Sequence, residues 1–555
     1  MGGWFSSLFY VASSQSSNYV RHLGYQELVK ATARRKVTRI VLSGGGVRGG
    51  VYVGAFKALE EAGVYQPSQS ITGSSIGGMT AALMATGMSP RRLQTISMNQ
   101  KFEHLLGDKT SWYGIERDGM PMLNFLENNI RNNVKAFFQE KSIDQLATAE
   151  SAEFLRLKQI ADNMEAGGNL TFNDLAILRQ YDTIRFKDLT LTAVERVTGK
   201  VQYFNALLTP NVSIADAARA SGSLPVILKP MVINGIEYID GGYFENIPTE
   251  AETSILSNIS SSDEDNTLCD DEIQQQYRKE RLVFAFSETD DDPVHRALHS
   301  EAKNLYTPGW LVRFTLNSIA SWLANIRTTK YCTVEAEKGY KNIQQYYQLQ
   351  TVQMKTGIEA RDFDEFFKRK EHLYYEGYFS TKDYLINHDL ADESLVYEFR
   401  KFAFHFFKNY ERKATWLSYF GVDPYESTKA KILFGFCADL GDLTPQQLNQ
   451  LTYNFIYFSL LDRRTNILKV DTRSASTLLD MLNSIYTNNE IKSLFRLALN
   501  ISEDTSSLHF EFKESHLEDF LMSQQPLNDP KSIFYSHFTN EEDMVKYEAL
   551  YRRFD

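Results

Sequence analysis

Three short glycine-bearing motifs hold the residue types that could do chemistry. Gly73-Ser74-Ser75-Ile76-Gly77 fits G-x-S-x-G, in which small residues let the chain turn sharply enough to expose the central hydroxyl. Ser75 is therefore a candidate nucleophile, and a helix starting there directs its first free amides toward developing negative charge. The rival reading is an ordinary Gly/Ser turn. Gly44-Gly45-Gly46-Val47-Arg48-Gly49 offers amides unobstructed by a Cβ, which suits an oxyanion hole at Gly44, Gly45 and Gly46. The same run fits the dinucleotide pattern G-x-G-x-x-G. That reading needs an acidic residue at the end of the next strand, where Thr72-Gly73-Ser74-Ser75 stands instead. A Walker loop is excluded because no Gly-Lys-Ser/Thr follows. Asp240-Gly241-Gly242 is the third motif, and in isolation it reads as a turn.

The elements that must position these motifs alternate. Residues 38–43 are β-branched and apolar, 51–63 carry apolar residues at helical spacing, 70–72 form a short strand, and 79–86 an Ala- and Met-rich helix. Two strand-to-helix units in succession predict an α/β sheet with its ligand site at the carboxyl ends of the strands. Residues 98–185 read as a helical insertion covering the sheet. Strand character returns at 189–194 and 201–204 as a hairpin, then at 226–233, 236–239 and 281–286, with a helix at 214–220. An acidic, Ser-rich loop occupies 260–271. Beyond about residue 295, aromatic-rich helical segments with few glycines or prolines predict an all-α second domain, with Phe363, Phe366, Phe367 and Tyr374 on one bundle-core stripe.

Composition narrows the function classes. The chain has 555 residues, which favours two or more domains. With 59 basic and 70 acidic residues its net charge is −11, which argues against a generic grip on nucleic acid. Cys269, Cys332 and Cys437 form no CxxC pair, so neither a disulfide framework nor a zinc knuckle is encoded. No cofactor and no metal are expected. No apolar run reaches spanning length, 452–461 being about the longest. The start lacks a basic leader with an apolar core, and Met1-Gly2 through Ser6 fits the pattern for acylation of Gly2. A soluble or peripheral protein of a reducing compartment is expected.

In order and spacing the three motifs resemble those of the patatin-like phospholipases: G-G-G-x-[KR]-G, G-x-S-x-G and D-G-[GA]. The stretch from Asp216 to Pro225, and Asn246 and Pro248 after the D-G-G, also look like that family. The resemblance covers about residues 37–290. It implies an α/β fold, a three-layer α/β/α sandwich with a mainly parallel central sheet. It implies a lipid acyl hydrolase of phospholipase A type, in which Ser75 attacks the ester carbonyl and Asp240 is the general base without a histidine. Arg48, at the family's basic position, is expected to position the glycine loop or a phosphate head group. A Ser, Asp, His order is formally available through His295 or His299. The domain plan is then an arm at 1–36, a patatin-like domain at 37–292 with 98–185 as a helical lid or insertion, and an α-helical localisation or regulatory domain at 293–555. Patatin-like enzymes with a large helical C-terminal domain look like those that bacterial pathogens inject into host cells. That likeness implies action at a host phospholipid membrane, delivery without a cleaved signal peptide, and a host activating or targeting protein bound through 293–555. The alternative is an interaction protein with minor or vestigial lipase activity.

Overall fold

The computed structural model of the protein describes residues 36–99, 102–108, 116–148, 151–225, 227–249, 251, 278–287, 339–360, 366, 368–392, 394, 396–401, 403–405, 407, 408, 437, 468–470 and 510–512. The arm, the acidic loop, the 452–461 run, Cys269, Cys332, His295 and His299 lie outside them.

Eight strands build one mixed sheet: β1 (Arg39–Leu42), β2 (Ser70–Ser74), β3 (Asp188–Glu195), β4 (Val201–Phe204), β5 (Met231–Ile233), β6 (Ile236–Asp240), β7 (Arg281–Phe286) and β8 (Thr351–Met354). The run β8, β7, β1, β2, β3 is parallel throughout. β4 and β6 pair antiparallel with β3, and β5 pairs antiparallel with β6. Side chains of β1 and β7 alternate between two apolar clusters. Ile40, Leu42, Leu282 and Phe284 join the main core, while Val41, Val283 and Ala285 meet Ile343 and Tyr347 on the opposite face. Strands buried on both faces are what a parallel sheet between two layers requires. The expected strand over 226–233 shortens to β5, which begins directly after Pro230, a residue with no backbone N–H to give to a ladder.

Around the sheet lie α1 (Val51–Glu61), α2 (Ile76–Ala85), α3 (Pro90–Asn99), α4 (Phe102–Leu106), α5 (Met120–Glu140), α6 (Ile143–Leu146), α7 (Ala152–Glu165), α8 (Phe172–Tyr181), α9 (Ile214–Ser221) and α10 (Lys370–Asn387). The insertion is helical, as the sequence indicates, but α5 does not behave as a lid. Its Met122, Leu123, Leu126, Ile130, Val134 and Phe137 are buried in the main core. Lifting this helix would expose each of them at about 1.5–3 kcal/mol per side chain, so α5 is a fixed layer of the sandwich.

The segment after 292 departs from the expected separate all-α domain. β8 extends the sheet, and α10 lies against α1 at a crossing of two glycines. A Cβ on Gly54 would overlap the Tyr374 carbonyl, and one on Gly377 the Val51 carbonyl. Tyr378 donates to Glu61 Oε2 at 2.7 Å and Lys370 Nζ to the Ser97 carbonyl at 3.1 Å. Phe366 and Tyr374 of the aromatic stripe are buried in this main core, while Phe363 and Phe367 lie outside the described residues. The first compact unit accordingly runs through Ala391, and the second comprises Asp392–Asp555. In the second unit β9 (Leu468–Val470) and β10 (Phe510–Phe512) form an antiparallel pair, and Cys437 is a buried free thiol. Among the described residues no helix is long and apolar enough to cross a membrane.

Candidate active site

β3 is the platform of the site. β2 pairs along its residues 188–192 and β6 along 193–195, while β4 pairs along 191–194. Because β4 overlaps both in register, it must take one edge of β3 and leave β2 and β6 to share the other. They run toward each other and meet head to head, with Ser74 opposite Thr192 and Asp240 opposite Ala193. This brings together Ser75 and Asp240, which are 165 positions apart in the chain. Asp240 stands at the carboxyl end of its strand, and because β6 is antiparallel to β3 that end meets the carboxyl end of β2.

The turn at Ser75 is made in one residue. Ser75 adopts φ 54° and ψ −128° between β2 and α2, a conformation costly for a residue with a side chain. Close backbone approach makes the turn possible: a Cβ on Gly77 would lie 2.5 Å from the Leu42 and Ser43 carbonyl oxygens. Ser75 N–H donates to Ser221 Oγ at 2.9 Å, and Ser75 Oγ–H donates to Asp240 Oδ2 at 2.6 Å. Asp240 Oδ1 accepts from Gly242 N–H at 2.7 Å, and Asp240 N–H donates to the Ser223 carbonyl at 3.0 Å. Asp240 is 2% exposed. Burial pushes its carboxyl up to about 7, against the opposing hydrogen bonds from Ser75 and Gly242. A carboxylate so placed can hold or release a proton near neutral pH.

Of the three glycines expected to supply an oxyanion hole, Gly44 commits its amide to the Asn246 carbonyl at 2.9 Å. The amides of Gly45 and Gly46 carry no hydrogen bond among the described residues, and Gly46 has φ 57°. The next amide, of Val47, donates to the Ala360 carbonyl at 3.0 Å, so a residue beyond 292 pins the loop. Arg48 Nε donates to the Gly45 carbonyl at 3.3 Å, with its guanidinium 4.8 Å from the centre of the Phe286 ring. Arg48 thus braces the glycine loop.

Sequence reasoning passed over Arg219. It is 2% exposed, and its guanidinium donates to the carbonyls of Gly119 (3.1 Å), Asp118 (3.0 Å) and Lys229 (3.1 Å) and to Ser223 Oγ (2.6 Å). Burial lowers it to about 10. It ties the start of α5 to the end of α9 and the turn after it, whose Ser221 and Ser223 hold the backbones of Ser75 and Asp240. The available signal was a lone arginine among the small residues of α9. No group of His, Cys, Asp and Glu that could hold a metal occurs among the described residues.

A family model described as patatin-like phospholipase matches residues 40–252. Protein R571 of Acanthamoeba polyphaga mimivirus is 24% identical over 367 residues, covering 65% of this chain and 98% of that protein. Human patatin-like phospholipase domain-containing protein 6 is 26% identical over 257 residues, covering 44% of this chain but only 15% of that protein's length. Among solved structures, VipD from Legionella pneumophila aligns with a TM-score of 0.41 at 16% identity, over 85% of this chain and 93% of that one. Residues 40–252 are a patatin-like phospholipase domain, and the likeness supports a hydrolase.

Proposed function

We propose that the protein is a lipid acyl hydrolase that cleaves glycerophospholipid esters through Ser75 and Asp240. The observation that carries this reading is the 2.6 Å hydrogen bond from Ser75 Oγ to a buried carboxylate raised to about 7. As Oγ attacks the ester carbonyl carbon, Asp240 takes its proton. The amides of Gly45 and Gly46 and the first amides of α2 donate to the oxyanion, a class of contact worth about 10²–10³ in rate per donor. Asp240 then passes the proton to the departing alkoxide, leaving Ser75 acylated.

The test is labelling with a fluorophosphonate together with a panel of phospholipids. Wild type labels and hydrolyses, while Ser75→Ala does neither and loses a factor on the order of 10³ or more. The paired change of His295→Ala and His299→Ala leaves turnover near wild type if the dyad suffices. Loss of activity in that double variant, with Asp240→Asn still active, would assign the base to a histidine instead.

From the resemblance to injected enzymes we carry forward one further element, that the membrane attacked is a host's. Residues 339–391 contribute to the sandwich, so the proposed site for an activating host protein narrows to 392–555. Production in yeast is the test: toxicity that needs Ser75 supports the reading, and equal harm from Ser75→Ala removes it.

A further inference from the structure

Asn246 has no role in the steps above beyond its backbone carbonyl, yet its side chain faces the reacting atoms. A Cβ on Gly44 would overlap Asn246 Oδ1, and the same Cβ would lie 2.9 Å from Ser75 Cβ. The carboxamide therefore packs over the first glycine of the loop, beside the nucleophile. Gly242 gives an independent fix. A Cβ there would lie 2.7 Å from Asn246 Oδ1, 3.0 Å from Asp240 Oδ1 and 3.6 Å from Ser75 Cβ. One small region, kept open by the bare Cα of Gly242, is bordered by the amide oxygen, the carboxylate and the serine. Asn246 is half-buried, which leaves its carboxamide within reach of solvent at the edge of the site.

Hydrolysis of an acyl-serine has a requirement that acylation lacks. A water must approach the acyl carbon with one O–H aimed at the base and its other O–H satisfied. In a site without histidine, Asp240 alone accepts the first proton, and a second fixed acceptor is needed to orient the molecule. We propose that Asn246 Oδ1 is that acceptor, holding the hydrolytic water in the Gly242 notch during deacylation. The water oxygen bonds to the acyl carbon while one proton passes to the Asp240 carboxylate. The tetrahedral intermediate then collapses, the bond to Ser75 Oγ breaks, and Oγ recovers the proton from Asp240. The products are a free carboxylic acid and the unmodified serine, so no other reactant is required.

The proposal rests on the Ser75 and Asp240 reading, and the experiment separates the two. Fluorophosphonate labelling reports attack by Ser75 alone, whereas turnover of a p-nitrophenyl ester also requires deacylation. Asn246→Ala keeps the backbone carbonyl that binds Gly44. We expect it to label within about threefold of the wild-type rate while steady-state turnover falls by about tenfold or more, with a stoichiometric burst of p-nitrophenol that marks accumulated acyl-enzyme. Gly242→Ala puts a Cβ 2.7 Å from Asn246 Oδ1, so the carboxamide must shift and the notch is filled, and turnover is expected to fall in this variant as well. Added methanol, a nucleophile with one O–H, gains on water in both variants, so the ratio of methyl ester to free acid rises. Labelling and turnover falling together, or turnover unchanged in Asn246→Ala, overturns the proposal. If wild type itself fails to label at Ser75, the underlying reading fails instead.

Discussion

The raised carboxyl of Asp240 makes a prediction about stability as well as rate. Its value in the folded protein is about 7 against 3.8 for an unperturbed group, and burial is the main cause. Below about pH 4 the carboxyl is protonated in folded and unfolded chains alike, and well above 7 it is ionised in both. Between these limits the folded state keeps a proton that the unfolded state has released, so stability falls as pH rises. At about 1.4 kcal/mol per pH unit the whole difference amounts to about 4 kcal/mol, of which about 3 kcal/mol falls between pH 5 and 8. Asp240→Asn has no such proton to lose. Relative to wild type, the variant is predicted to gain about 3 kcal/mol on going from pH 5 to pH 8, read from urea unfolding followed by circular dichroism. The wild-type rate should show the same ionisation, since the carboxylate is the working form. kcat/KM is expected to rise about tenfold per unit up to pH 7 and then level. Wild type and Asp240→Asn keeping a constant stability difference across pH 5–8, with a rate profile flat over that range, would refute the argument that burial tunes this base.

Three further outcomes are expected. Gly46→Ala places a side chain at φ 57° and against the Ala360 carbonyl, and should lower kcat at least tenfold with KM nearly unchanged. A purely raised KM would assign the loop to substrate binding. Arg219→Leu leaves three carbonyls without their donor, that of Gly119 buried and those of Asp118 and Lys229 part-buried, and should cost on the order of 3 kcal/mol. A thermal midpoint within a few degrees of wild type would contradict that. A chain cut after residue 292 loses β8 and α10, whereas one cut after 391 keeps the first compact unit. The shorter should be insoluble and the longer soluble and labelled by fluorophosphonate, and a soluble, labelled shorter chain would show that β8 and α10 are dispensable.

Local signals were the legible part of the fold. Glycine turns between apolar runs placed β1, α1, β2 and α2 within a few residues, because each is decided by its own side chains and by what glycine permits. Ser75 and the loop before α1 were legible for the same reason, whereas Asp240, whose motif alone reads as a turn, was legible only through the resemblance of the three motifs together. Long-range pairing was not. Nothing in residues 236–240 says that the strand is antiparallel to β3, since alternation carries no direction. The four residues of β8 are too few for a periodic pattern, and the crossing of α1 and α10 depends on two glycines in distant segments. Asn246 and Arg219 stood in stretches that could be recognised, but their roles depend on which carbonyls and glycines surround them in space.

The glycine loop is supported from far down the chain. Val47 donates to Ala360, and Gly50 packs under Phe366 and Leu373. Every strand of the sheet has been synthesised before those residues appear. A growing chain can thus bring Ser75 to Asp240 while the loop proposed to receive the oxyanion still lacks its support, and closing so long a connection is slow. Competence for chemistry arrives late in synthesis. If the proposed phospholipid hydrolysis holds, that order delays attack on nearby bilayers until about two thirds of the chain has been made.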